Sequence, residues 1–195
     1  MSTAPTRRIT PQEYLAIERA AETRSEYDAG EMFAMSGASW HHNLVKDNLA
    51  REIGQQLKEG PCRVVTSDLR VKVDATGLYT YPDIVVVCDE PHFEDDVHDT
   101  LLNPRVVIEV LSDSTEKYDR GKKFGHYQRV ASLQEYVLVA QDEPVVERYE
   151  RQPTGWLLTT VRGLDAEFAF ASIAATVSLR EIYRGVTFDG ERTNG

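Results

Sequence analysis

A chain of 195 residues, 41% hydrophobic and 28% charged, is long enough to bury a core and too apolar to be a disordered segment. Its formal charge of −10 excludes a protein that holds a polyphosphate by overall attraction, so any nucleic-acid contact has to come from a locally basic face. No apolar run approaches the ~20 residues that span a bilayer, and no apolar stretch follows the arginines near the start, so one soluble, cytoplasmic domain over 1–195 is expected.

Thr10-Pro11 reads as a cap with a first-turn proline and predicts a helix over 10–24. GEMFAMSG (30–37) reads as a short strand or hairpin arm. Ser39 caps a long helix to about Glu59, in which Leu44, Val45, Leu49, Ile53 and Leu57 recur at helical spacing, and Gly60-Pro61 stops it.

The period then changes. CRVVTSDLRVKVD (62–74) alternates as a half-buried strand or bulged pair should. LYTYPDIVVVC (78–88) and NPRVVIEVLS (103–112) hold short apolar runs of the kind found in sheet centres covered on both faces. Residues 112–130 return to a helical pattern, capped near Ser114 or Thr115, and LQEYVLVAQD (133–142) is a further strand. A hairpin is predicted from 145–151 and 156–162 around Pro153-Thr154-Gly155, a short helix from Ser178 to Tyr183, and a mobile tail over 185–195. The order from residue 39 is helix, three strands, helix, strand: an α/β core with an added C-terminal hairpin. Cys62 and Cys88 match no zinc or redox spacing, and free, buried thiols are expected.

Two apolar strands each carry one acid where a core residue belongs. Asp83 opens IVVVC, and Glu109 closes VVIE. An ionised carboxylate out of water is costly without a cation or donors, and two on neighbouring strands repel; a shared divalent ion relieves both problems. Hard oxygen ligands favour magnesium or manganese. Lys123, in the helix that follows Glu109, is the candidate cation for a charged transition state. Tyr127 shares its helix face, whereas Lys122 shares one with His126.

YPDIVVVC, NPRVVIEVLSDST and YDRGKKFGHYQRVASLQEYVLVAQDEPVVERYER, with YDAGEMFAMSGASWHHNLV and SDLRVKV upstream, resemble the Uma-two-like restriction endonuclease family. That family, once catalogued as a domain of unknown function, is placed in the PD-(D/E)XK nuclease superfamily. The resemblance covers roughly residues 26–162. It implies a restriction-endonuclease-like fold, a central mixed sheet flanked by helices. It also implies a magnesium-dependent endonuclease acting on DNA, with Asp83, Glu109 and Lys123 as catalytic residues. Asp83, Glu109 and the main-chain carbonyl of Val110 are the implied metal ligands. The plain superfamily motif puts a lysine two residues after the glutamate, where this chain has Leu111. The resemblance moves that role to Lys123 on the following helix.

Second-rank candidates are His42, which matches a family histidine on the long helix, and the acids Asp68 and Glu31. From Glu116 to Arg129, five basic residues stand against two acids, which makes Lys117, Arg120 and Lys122 candidate nucleic-acid contacts. Ser112 and Ser114 read as caps and FEDDVHD (93–99) as a solvated loop. Trp40, Tyr79, Tyr81, Tyr118 and Tyr127 could stack bases, but core packing is the expectation. The hairpin after residue 144 offers a homodimer surface. Two rival readings stay open. One is a catalytically silent protein that uses the fold for binding or regulation; the other is an acid/base pair made of Asp83 and Glu109.

Overall fold

The computed structural model describes residues 8–188. The first helix, α1 (Pro11–Ala20), begins with a capping box, the Thr10 side chain accepting from the Glu13 amide while Glu13 reaches back to the Thr10 amide. Strands β1 (Ser25–Asp28) and β2 (Glu31–Ala34) pair antiparallel through a two-residue turn. Ala29 and Gly30 both take positive φ, as that turn requires. Ser39 caps α2 (Trp40–Leu57) by accepting from the His42 amide.

The middle of the chain is strand-rich: β3 (Cys62–Thr66), β4 (Arg70–Val73), β5 (Leu78–Thr80), β6 (Ile84–Cys88), β7 (Thr100–Leu101) and β8 (Val106–Val110). The helical segment predicted over 112–130 is shorter and broken. It comprises α3 (Glu116–Tyr118), one π turn (Asp119–Lys123) and α4 (Phe124–Tyr127). Then come β9 (Glu135–Val139), β10 (Val145–Gln152), β11 (Gly155–Arg162), β12 (Glu167–Phe170), β13 (Ala175–Ser178) and α5 (Leu179–Ile182).

The central sheet has six strands in the order β11-β10-β9-β8-β6-β3. Only its β8–β9 pair is parallel, so the sheet is mixed. Alternate residues of β6, β8 and β9 serve two cores. Ile84, Val86, Val106, Ile108, Val110, Val137 and Val139 pack with α2, β12, β13 and α5. Val85, Val87, Val107, Leu111, Tyr136 and Leu138 pack with β4, β5, Phe124 and Tyr127. Continuous apolar sequence is the signature of strands covered on both faces. A second sheet, in the order β2-β1-β5-β4-β7, brings the N-terminal hairpin beside the core, where Tyr14, Tyr27 and Tyr79 form a small cluster of their own.

The expectation of free thiols is overturned. Cys62 and Cys88 are register partners in the β3–β6 pair and form a disulfide. The antiparallel ladder places them opposite each other, which their separation of 26 residues does not reveal. The β5, β7, β12 and β13 strands were not separately expected. Val186 and Phe188 pack on the core, and residues 189–195 of the expected mobile tail lie outside the described residues. Among the described residues no helix is long and apolar enough to cross a membrane.

Candidate active site

The β6–β8 ladder pairs Ile84 with Ile108, so Asp83 and Glu109 lie one step further along it, side by side at the same end of the sheet. Both belong to the face that carries Val85 and Val107, beneath the segment 116–127. Apolar residues on either side hold the strands in place, and the pleat aims both acids at one point.

Asp83 is held from two directions. Its Oδ1 lies 2.9 Å from His42 Nε2, and its Oδ2 accepts the Val110 amide at 2.8 Å. The Ser39 cap fixes the first turn of α2 and so aims His42 at the strand end. For Val110 the contact with Asp83 is therefore made through the amide; the carbonyl is the group expected to face a metal.

Glu109 is buried in the sheet. Its Oε1 lies 2.9 Å from Lys123 Nζ and accepts from the Tyr127 hydroxyl at 3.3 Å. Lys123 also lies 3.1 Å from Glu26 Oε1 and 3.7 Å from Asp119 Oδ1. Burial pushes the Glu109 carboxyl well above the usual range, Asp119 and Asp83 adding to the rise and Lys123 opposing it. Burial alone would lower Lys123, yet the surrounding carboxylates of Glu109, Glu26 and Asp119 outweigh it and hold the ammonium well above its ordinary value. We take Lys123 as charged, because three acids within 4 Å meet a single cation. Asp119 is raised too, chiefly by burial.

These residues line one open cavity of about 850 Å³ at the sheet end. Six carboxylates face it (Glu26, Asp28, Asp83, Glu109, Asp113 and Asp119) against Lys46, Lys122 and Lys123. Adjacent carboxylates are the hard oxygen donors that magnesium takes along with several waters, and the surplus of negative charge suits a further cation. The donor chemistry therefore fits a magnesium- or manganese-type ion at Asp83 and Glu109. Among the described residues no group of three or more His, Cys, Asp or Glu is arranged to hold a metal.

Asp83, Glu109, Lys123 and His42 converge; the remaining second-rank acids do not. Glu31 is exposed, and Asp68 points outward to pair with Arg24 at 3.4 Å. Of the candidate nucleic-acid contacts, Lys122 is ion-paired with Asp28, Arg120 is paired with Glu116 and Glu147, and Lys117 is exposed. In the acidic loop, Arg19 binds Asp95 and Asp99 at 2.8 Å, while Lys72 and Tyr79 hold Glu94. Tyr79, Tyr81 and Tyr127 are buried, whereas Trp40, expected as core, is 74% exposed.

The sequence reading missed Glu26 and Asp119. Asp119 had a signal, since it stands four residues before Lys123 in a helical stretch. Glu26 had none, because it reaches the site only through the pairing of β1 with β5.

Three comparisons bear on this arrangement. The model of the Uma2 family, described as "Putative restriction endonuclease", matches residues 11–179. Uncharacterized protein sll1609 of Synechocystis sp. (strain ATCC 27184 / PCC 6803 / Kazusa) is 36% identical over 172 residues, covering 88% of this chain and 97% of the relative. Uncharacterized protein slr1290 of the same strain is 34% identical over 186 residues, covering 95% and 96%. In fold, the chain is similar to the crystal structure of a "putative nuclease belonging to DUF820" from Anabaena variabilis ATCC 29413. The TM-score is 0.74 at 22% identity, over 90% of this chain and 97% of that one. The chain belongs to the Uma2 family.

Proposed function

We propose that this protein is a magnesium- or manganese-dependent endonuclease of the PD-(D/E)XK type that hydrolyses phosphodiester bonds of DNA. The observation that carries the reading is the meeting of Asp83, Glu109 and Lys123 at one end of the sheet. Family membership and the nuclease-like fold support it.

Asp83 and Glu109, with the carbonyl of Val110, would hold the ion. When bound, a divalent cation offsets phosphate charge and acidifies water. His42 and the Val110 amide keep Asp83 oriented. Lys123 presents its ammonium where charge builds on the phosphoryl oxygens, an arrangement set before substrate arrives. In the overall step, water oxygen bonds to phosphorus, one P–O ester bond breaks, and the departing oxygen takes a proton. Lys46 lines the cavity and is a cation that a phosphate would meet there.

The unpaired outer edge of β11, with Leu157 and Leu158 52% and 49% exposed, supports a homodimer. Analytical ultracentrifugation returning only monomer removes that part. We place the protein in the cytoplasm, and cell fractionation with detection of the protein tests that location. The test of the activity is a cleavage assay on mixed DNA and RNA substrates with magnesium or manganese, comparing wild type with Glu109→Ala. Metal-dependent DNA cleavage lost in the variant supports the reading. No cleavage by wild type, or equal cleavage by both proteins, rejects it.

A further inference from the structure

We propose that Glu26 is the positioning residue that keeps the Lys123 ammonium in place when Glu109 turns to a divalent cation, an inference that rests on the metal-dependent reading above. Lys123 has three N–H donors and no acceptor. In the structure Glu109 Oε1 lies 2.9 Å from its nitrogen and Glu26 Oε1 3.1 Å, whereas Asp119 Oδ1, at 3.7 Å, is beyond hydrogen-bond reach.

A cation shared by Asp83 and Glu109 draws on the charge of Glu109 and repels the neighbouring ammonium. Water has little access to take over, because the Lys123 side chain is only 6% exposed. A buried ammonium stripped of its partner would oppose the incoming ion, so a second carboxylate has to be ready beforehand. Glu26 meets that need. Its Oε1 accepts from the Thr80 hydroxyl, and its Oε2 accepts from the Tyr118 hydroxyl at 3.2 Å. Both partners are neutral. They fix the carboxylate without consuming its charge, which is left to Lys123.

Glu26 lies on β1, in the second sheet. The N-terminal hairpin therefore completes the site instead of merely covering the core. Asp28 on the same strand pairs with Lys122 and does not share the role.

The test is manganese binding to the full chain by titration calorimetry, with circular dichroism to check folding. Glu26→Gln is expected to weaken Mn²⁺ binding by about tenfold or more, and Glu26→Asp by roughly threefold, since the ammonium loses or half-loses its second partner. In a Lys123→Met background, where no ammonium needs a partner, Glu26→Gln should change affinity by less than about twofold. Equal affinity of wild type and Glu26→Gln overturns the inference. So does an equal loss in both backgrounds, which would mean that Glu26 acts on the ion directly. Should Glu26→Gln fail to fold, Glu26→Asp carries the same comparison, and unchanged affinity there overturns it. Wild type that binds no Mn²⁺ overturns the nuclease reading and this inference together; wild type that binds, with indifferent Glu26 variants, overturns this inference alone.

Discussion

Lys123 Nζ lies 2.9 Å from Glu109 Oε1, and neither side chain is more than 6% exposed. A buried pair in which three acids share one ammonium is asymmetric. Deleting the cation strands several charges, while deleting one acid leaves the cation with others.

That asymmetry predicts unequal stabilities. Lys123→Met should cost about 3–5 kcal/mol, the range for breaking a buried ion pair, while Glu109→Gln should cost about 1 kcal/mol or less, because Glu26 still pairs with the ammonium. Urea unfolding at neutral pH measures both. Equal losses would mean that Glu109 is the partner Lys123 depends on.

Catalysis should rank the variants differently. Asp83→Asn and Glu109→Ala are each expected to lose about a thousandfold or more of metal-dependent cleavage. His42→Ala should lose only about tenfold, since the Val110 amide still orients Asp83 at 2.8 Å. Initial rates on one substrate give the order. A His42→Ala loss as large as that of Asp83→Asn would place His42 in the chemistry itself.

Stability at high pH is governed in part by Tyr81. Burial pushes its hydroxyl up to about 12, Arg70 opposing and Glu18 adding to the rise. A group whose pKa is raised on folding stabilises fully below its unfolded value, near 10, and that contribution disappears as pH climbs towards 12. Tyr14 and Tyr79, nearby, shift the same way. Melting temperature should therefore fall between pH 10 and 12, more steeply in wild type than in Tyr81→Phe. Parallel curves for the two proteins would contradict this.

At low pH the corresponding residue is Asp99. Its hydrogen bonds from Arg19 hold the carboxyl below the usual range, burial opposing and Arg70 assisting at 2.9 Å. The shift is downward, so its stabilisation is present above the ordinary carboxylate value and is lost as pH drops below it. Asp99→Asn should be less stable than wild type at neutral pH and converge with it on acidification. Acid unfolding followed by circular dichroism checks the convergence, and a constant gap at all pH values would contradict it.

Much of this architecture is legible in one dimension. The cap at Ser39, the spacing through Leu57 and the apolar runs around Asp83 and Glu109 are local patterns, and they mark α2, β6 and β8. A carboxylate in such a run is conspicuous because burial makes it costly. Residues that arrive by long-range pairing are not visible in this way. Glu26 depends on the β1–β5 contact, and the disulfide depends on the β3–β6 register. The π turn at Asp119–Lys123 also escapes, since its residues read as ordinary helix.

The most direct test of the central claim is anomalous diffraction from crystals soaked in manganese. One peak at the strand end, within about 2.0–2.3 Å of oxygens of both Asp83 and Glu109, is predicted, with Lys123 turned towards Glu26. A map with no peak there, or with the ion bound elsewhere while Glu109 keeps Lys123, would contradict the account.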